Sequence, residues 1–343
     1  MSRAKQGVLL VGALALMAGV VYLAYRSAPP GPRPQPKAIP ALAWLPAESG
    51  LVAGFDLEQL RGQAWLLALL EEAGGEVEEG AEYREFVEAT GFDYRRDLDR
   101  VWLGVFGASE EPTVAGVAEG RFDRERILAY ARRQGAIQTP HGGVDIYEVQ
   151  TEFRPPPIPG QPPPETQVRT FALAFLEESY LAFGTDAASV ARVVDCREGR
   201  APAVASDAAR RADLERLAAG RQVWLVDERE KWQPQFLREQ EWLGAEVVQL
   251  SLGLQVSPDG VEAEAAARCR EPAQAGRLAN TLRLGAVVLS IVLRQEEDKF
   301  SQAALDALGR VELTQEESTL RAWVRLPPEL LTTLLSAAPL PGN

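Results

Sequence analysis

An α+β fold, antiparallel sheet covered by helices, is predicted for this chain by three observations. Short apolar strands join in hairpins at turn-forming strings such as Ser257-Pro258-Asp259-Gly260, and helical runs open on Asp caps. The same order of elements can be read twice along the chain, which predicts two related units. With 46% apolar and 25% charged residues the composition is that of a globular protein. The 343 residues, less a leading apolar segment, leave room for one large domain or two ordinary ones.

The leading segment, Gly7 to Tyr25, reads GVLLVGALALMAGVVYLAY, nineteen residues without a charge between Lys5 and Arg26. As a helix it is long enough for the roughly 30 Å hydrocarbon core of a bilayer. Arg26, Pro29 and Pro30 follow in place of a small-residue cleavage site, and Ala13-Leu14-Ala15 lies inside the apolar run. Residues 1–27 are therefore expected to be a tail and an uncleaved, single-pass transmembrane anchor that holds the bilayer through residues 7–25. A cleaved, secreted form would instead begin beyond Arg26. Flanking charge is nearly balanced, with Arg3 and Lys5 on one side and Arg26, Arg33 and Lys37 on the other. The body is placed outside the bacterial cytoplasmic (inner) membrane, in the periplasm, because a short basic tail tends to stay inside. Residues 28–40, APPGPRPQPKAIP, favour polyproline II and read as a semi-rigid stalk.

The first α+β unit is expected over residues 41–219. Leu51 to Phe55 is a strand, and Asp56 with Gln59 has capping-box spacing ahead of a helix to Ala73, stopped by Gly74-Gly75. The acidic string EVEEGAE is a solvated turn, and a short helix covers Tyr83 to Thr90. TGFDYRRDLDRV leads into a hairpin of Val101–Phe106 and Thr113–Gly120, after which Asp123 caps a helix to about Gln134. Strands follow at Val144–Thr151 and Val168–Phe175, separated by an exposed Pro-rich loop at 154–165 that cannot pair in a sheet. Tyr180–Gly184 completes the hairpin, Asp186 caps a helix to about Val194, and a connecting helix lies within Arg197–Gly220.

The second unit, 220–343, repeats the order. It holds a strand at Gln222–Val226, a helix near Gln235–Leu243, the hairpin of Glu246–Val256 with Val261–Arg268, and a long helix from Pro272 to about Arg294. A shorter helix at Asp298–Leu308, a hairpin of Val311–Leu313 with Thr319–Val324, and a helix after Pro327-Pro328 end the chain. FLEESYLAFGTDAASVARVV, from Phe175, can be laid on LTQEESTLRAWVRLPPELLTTLL, from Leu313, through a shared Glu-Glu-Ser turn. The apolar string Leu284–Leu293 would reach only about 15 Å as a helix, half of what a span needs, and is expected to be a buried core helix.

The chain carries a net charge of −13 and its first 40 residues have five basic and no acidic side chains, so the body holds 31 basic against 49 acidic residues. A surface this acidic repels nucleic acid and anionic lipid headgroups, so neither is expected as a ligand of its bulk surface, and the charge keeps the body soluble. Metal and cofactor sites have no sequence support. Cys196 and Cys269 show no CxxC or Cys/His spacing, and can either pair outside the cytoplasm or stay as buried free thiols. His141 is the only histidine, in the turn-like TPHGGVD, and no GxSxG accompanies it. Lys231 and Lys299 are the only lysines of the body, without an SxxK string, and neither phosphate-loop motif occurs. Asp93, Asp97 and Asp99 imitate a calcium loop, but the required Gly is missing and Arg95, Arg96 and Arg100 lie among them, which predicts ion pairs on a turn. Paired carboxylates remain open, since nothing selects a pair among so many acids. Trp65, Trp102, Trp224 and Trp323 fall where core packing is expected.

At WLPAESGLVAGFDLEQLRG, TGFDYRRDLDRVWLGVFG and YLAFGTDAASVARVV the chain resembles a loose group of bacterial membrane-anchored envelope proteins. Their marks are an N-terminal membrane segment, an "LPA(D/E)" start and a "TG-x-D…RDLD" string before a strand. Those strings are turns and caps, so the resemblance implies fold and location and no chemistry. The expected function is a non-catalytic, membrane-anchored binding or assembly module of the cell envelope, with envelope proteins as partners. The alternative is a carboxylate-dependent extracytoplasmic hydrolase, which requires a deep pocket with converging carboxylates of raised pKa.

Overall fold

The computed structural model describes residues 39–63, 65, 81–107, 112–153, 167–229, 231, 246–295 and 299–337. The expected anchor at 7–25, nearly all of the stalk, the Gly74-Gly75 stop, the Pro-rich loop and the helix near 235–243 lie outside them. The fold is α+β, built on one antiparallel sheet of twelve strands. Its strands are β1 Leu51–Asp56, β2 Leu98–Phe106, β3 Thr113–Gly120, β4 Ile137–His141, β5 Val144–Phe153, β6 Gln167–Phe175 and β7 Tyr180–Gly184 in the first half. The second half adds β8 Val223–Glu228, β9 Val247–Ser257, β10 Gly260–Cys269, β11 Glu312–Glu316 and β12 Thr319–Leu326. The spatial order is β11-β12-β10-β9-β8-β1-β2-β3-β7-β6-β5-β4.

In this order the strands of the two expected units lie in one sheet. The halves share one sheet because β1 pairs with β8, antiparallel, from Leu51 opposite Asp227 to Phe55 opposite Val223. Left apart, each of these apolar strands would present an open edge, and pairing removes both. Outward from the seam the strand order β1-β2-β3-β7-β6 corresponds to β8-β9-β10-β12-β11.

Local chemistry explains most boundaries. Asp56 accepts from the backbone N–H of Gln59 at 2.9 Å to cap α1, Leu57–Arg61, and the Gln59 amide donates back to the Asp56 carboxylate at 2.7 Å. Asp93 caps α3, Tyr94–Asp97, which follows α2, Ala81–Thr90. Asp123 caps α4, Arg124–Arg133. Asp186 and Ser189 bond reciprocally at the start of α5, Ala187–Arg197, and Asp207 caps α6, Ala208–Ala218. The remaining helices among the described residues are α7 Pro272–Gln295, α8 Lys299–Leu308 and α9 Pro328–Ala337. Strand β4 was not foreseen, because its Pro140 lacks an amide donor. It is tolerated there because β4 is the outer strand of the sheet.

Register assigns the two faces. On one, Val52, Trp102, Val117, Ala172, Ala182 and Trp224 pack with Val190, Val193 and Val194 of α5 and Leu214 and Leu217 of α6. On the other, Leu173 and Phe175 meet Ile127 and Leu128 of α4, while Ala263, Val324 and Leu326 meet α8 and α9, and Cys269 and Ala322 meet Ala275, Leu278 and Ala279 of α7. Cys196 and Cys269 are free, buried, and separated by the sheet. The helices that follow the matched hairpins take opposite sides: α5 lies on β3, β5, β6 and β7, whereas α9 lies on α8 and β10 on the other face. Near β10 and β12, the face without α9 carries the Glu264 carboxylate, paired with Arg221 and, at 3.0 Å, with Arg321.

At the seam, Gly54 stands opposite both Trp102 and Trp224, and a Cβ at Gly54 would come within 3 Å of the Trp224 indole. Strand β1 is paired on both sides and cannot retreat. Gly54→Val is therefore expected to lose about 1–3 kcal/mol or more through overpacking. The check is a lowered denaturant midpoint with an unchanged m value.

Candidate functional site

Helix α7 begins where β10 ends. Gln274 accepts from the Glu271 backbone N–H at 3.0 Å, Pro272 occupies the first turn, and the Gln315 amide donates to the Pro272 carbonyl at 3.0 Å. Its 24 residues make a rod of about 36 Å. Ala275, Leu278, Ala279 and Ala286 face inward and are buried, with Leu282 and Leu289 packed beside them.

The expectation of a buried core helix at Leu284–Leu293 is corrected on the opposite side. Leu284 is 66% exposed, Val287 46%, Val288 54%, Ile291 54% and Val292 52%. Their spacing is that of one helix face, so the five side chains form a continuous apolar stripe pointing away from the sheet. The string is apolar around nearly the whole helix, and the sheet can cover only one side of it. Among the described residues α7 is the helix long and apolar enough to cross a membrane by length and composition, with an 18-residue window of mean hydropathy 1.4 and only 17% of that window buried.

The charge on α7 is equally one-sided. Between Pro272 and Gln295 there is no Asp or Glu, and Arg277, Arg283 and Arg294 are all exposed. Arg277 reaches Glu246 at 2.6 Å, and Arg283 donates to the Asn280 side chain at 3.2 Å. On a chain of net charge −13 this is a basic, apolar surface.

The carboxylate alternative has less to build on. Asp227, on β8, is 4% exposed, and burial pushes its carboxyl up to about 6, while the nearby Arg229 guanidinium pulls it back. Its Oδ1 has no hydrogen-bond partner among the described residues. The folded pKa exceeds the unfolded 3.8, so the native state pays no ionisation cost below pH 3.8 and the full cost above about 6. Over that interval the cost is about 3 kcal/mol. Asp227→Asn is expected to raise stability near neutral pH by up to that amount and to flatten the pH 4–6 part of the stability profile, as read by denaturant titration across pH.

The carboxylate that acts on Asp227 besides its own burial is that of its chain neighbour Glu228, which pushes it up further. A nearby cleft of about 480 Å³ is lined by Glu228, Lys231, Val248, Arg268, Cys269 and Arg270. Glu228 is its one carboxylate, and it is already held by Arg210 and Lys231, each at 2.7 Å. His141 closes β4 beside Gly142-Gly143 and meets Asp195 of α5 at 2.8 Å, where Arg200 also binds the carboxylate at 2.8 Å. The expected turn residue is thus a partly buried tie between hairpin and helix. Asp93, Asp97 and Asp99 form the expected ion pairs: Arg95 holds the Asp93 carboxyl down at about 2, Arg96 and Arg121 meet Asp97, and Arg61 meets Asp99. Among the described residues no group of three His, Cys, Asp or Glu is placed to hold a metal ion. Trp102 and Trp224 are buried as expected, and the Trp65 indole donates to the Ser257 carbonyl at 2.9 Å.

No protein-family model and no curated protein matches the chain. Solved structures of TP0453, a Treponema protein, are similar to it. Crystal form I aligns with TM-score 0.44 at 11% identity, covering 88% of this chain and 98% of that one. Crystal form III aligns with TM-score 0.46 at 11% identity over the same shares, and form IV with 0.43 at 12% over 88% and 97%.

Proposed function

We propose that this chain is a non-catalytic, membrane-anchored binding or assembly module of a bacterial cell envelope, anchored through residues 7–25 with its body outside the cytoplasm, and that the outer face of α7 is its binding surface. The observation that carries this reading is the stripe Leu284, Val287, Val288, Ile291 and Val292, because contiguous exposed apolar surface of this kind marks interaction sites. The matching strand orders on either side of the β1–β8 seam support the further reading of two related units. A lone buried Asp227 and a cleft with one ion-paired carboxylate lend the hydrolase alternative no pair of groups to divide acid and base roles.

The test is site-specific photo-crosslinking of the full chain in its native envelope. A crosslinker at Val288 is expected to give protein or lipid adducts that one at Glu198, at the end of α5 on the other face of the sheet, does not give. Equal yields at the two positions, or none at Val288, would remove the assigned surface. Sidedness has its own readout: protease added outside spheroplasts is expected to digest the body.

A further inference from the structure

We infer that the occupant of the α7 face is the surface of an anionic lipid bilayer, on which α7 lies in the headgroup plane with its apolar stripe down. The inference rests on the binding-surface reading above and names the partner.

Three features of α7 select a lipid surface over a protein. First, the stripe is aliphatic throughout, Leu, Val and Ile, without the aromatic anchors that dominate protein interfaces. Second, the helix carries no acid, and beside Arg277, which Glu246 holds, it presents Arg283 and Arg294 to solvent, the composition of an interfacial helix facing anionic headgroups. The rest of the body is acidic and would be repelled by the same headgroups, so any contact with them is directed to this helix. Third, a symmetric pair of α7 helices would bring the arginines of two copies together without a compensating acid on either helix. The stripe is a patch of a few hundred Å², and doubling it stays below the roughly 1,200 Å² where stable protein interfaces begin.

The helix does not span the bilayer. Ala275, Leu278, Ala279 and Ala286 hold it on the sheet, so only its outer half is free to enter the interface.

The experiment uses the full chain in lipid nanodiscs, of phosphatidylcholine alone or with phosphatidylglycerol. An environment-sensitive dye is placed at Val288→Cys, or at Glu198→Cys as the reference, with Cys196 and Cys269 buried and unreactive. The expected result is a blue-shifted emission at position 288, quenched by bromine-labelled acyl chains at least five-fold more than at position 198. It should require phosphatidylglycerol and be lost in Arg283→Glu/Arg294→Glu or Val287→Glu/Ile291→Glu variants. Those residues are exposed, so the variants should keep the parent melting midpoint. A blue shift without bromine quenching, with disulfides forming between two Val288→Cys chains, would overturn the inference in favour of a second copy. Equal quenching with and without phosphatidylglycerol would overturn the anionic requirement. No shift in either nanodisc, while Val288 still crosslinks to an envelope protein, would overturn the lipid partner and leave the binding-surface reading standing. No shift and no adduct of any kind would remove both.

Discussion

Trp224→Ala is expected to cost about 3–5 kcal/mol, the range for deleting a buried aromatic side chain when the cavity cannot collapse. Trp224 is 3% exposed and lies on β8 at the junction of the halves, between Gly54 of β1 and Gly253 of β9. Gly54 makes room for the indole, since a side chain there would enter it, whereas Gly253 leaves space for the Arg221 side chain. Both neighbouring strands are locked in the ladder, so the walls of the cavity cannot move in. Trp224→Phe should lose less. The coupling can be measured directly: Gly54→Ala should be destabilising in the parent and close to neutral beside Trp224→Ala. Additive effects in that double-mutant cycle would show that the close packing carries no energy.

Arg210→Ala is expected to cost a similar amount, about 3–5 kcal/mol, by a different mechanism. Arg210 lies on α6 and is 8% exposed. Its guanidinium donates to the Ala47 carbonyl at 2.8 Å and to the Ser49 carbonyl, and its Nε stands 2.7 Å from Glu228 Oε1. It thereby joins the segment entering β1 to the end of β8. Removal strands the buried Ser49 carbonyl and the part-buried Ala47 carbonyl and leaves the Glu228 carboxylate to Lys231 alone. Arg210→Lys should recover only part of the loss, because an ammonium cannot reproduce the planar fork. Arg210→Met with Glu228→Gln should be less destabilised than Arg210→Ala alone, since the carboxylate is neutralised and the charge left over is that of the more exposed Lys231. If the single variant lost under 1 kcal/mol in denaturant titration, the cluster would be a surface-like pair and not a clamp.

The two sites differ in how far sequence reveals them. Trp224 announces itself as a large apolar residue in a strand, and its burial was expected. Arg210 does not, because the carbonyls it holds lie 161 to 163 residues earlier in the chain and an Arg on a polar, Ala-rich helix looks solvated. Caps were readable because they act over three residues, as at Asp56, Asp123 and Asp186. β4 was not, because Pro140 is admissible only at an outer position and position in a sheet is not a local property.

The candidate surface divides in the same manner. The apolar string of Leu284–Leu293 was plain, but it belongs to a helix of 24 residues that by length and composition could span, which the string alone did not show. Burial was then the natural conclusion for a helix apolar on every side. An excess of apolar residues beyond what one packed face requires was the signal that a second face was left over.

Read alone, the amino-acid sequence determined the α+β class, nearly every described strand and helix, the acidic body with its basic leading residues, and the lack of a motif for metal or phosphate chemistry. These follow from periodicity, capping and composition, which act within a few residues of the chain. The tertiary structure decided that the halves share one sheet, that α5 and α9 lie on opposite faces of it, and that the outer side of α7 has no cover among the described residues. Each of those depends on which distant strands pair and which face a helix crosses. A pattern of apolar residues shows that a side chain wants a neighbour, but the neighbour is supplied by chain a hundred residues away.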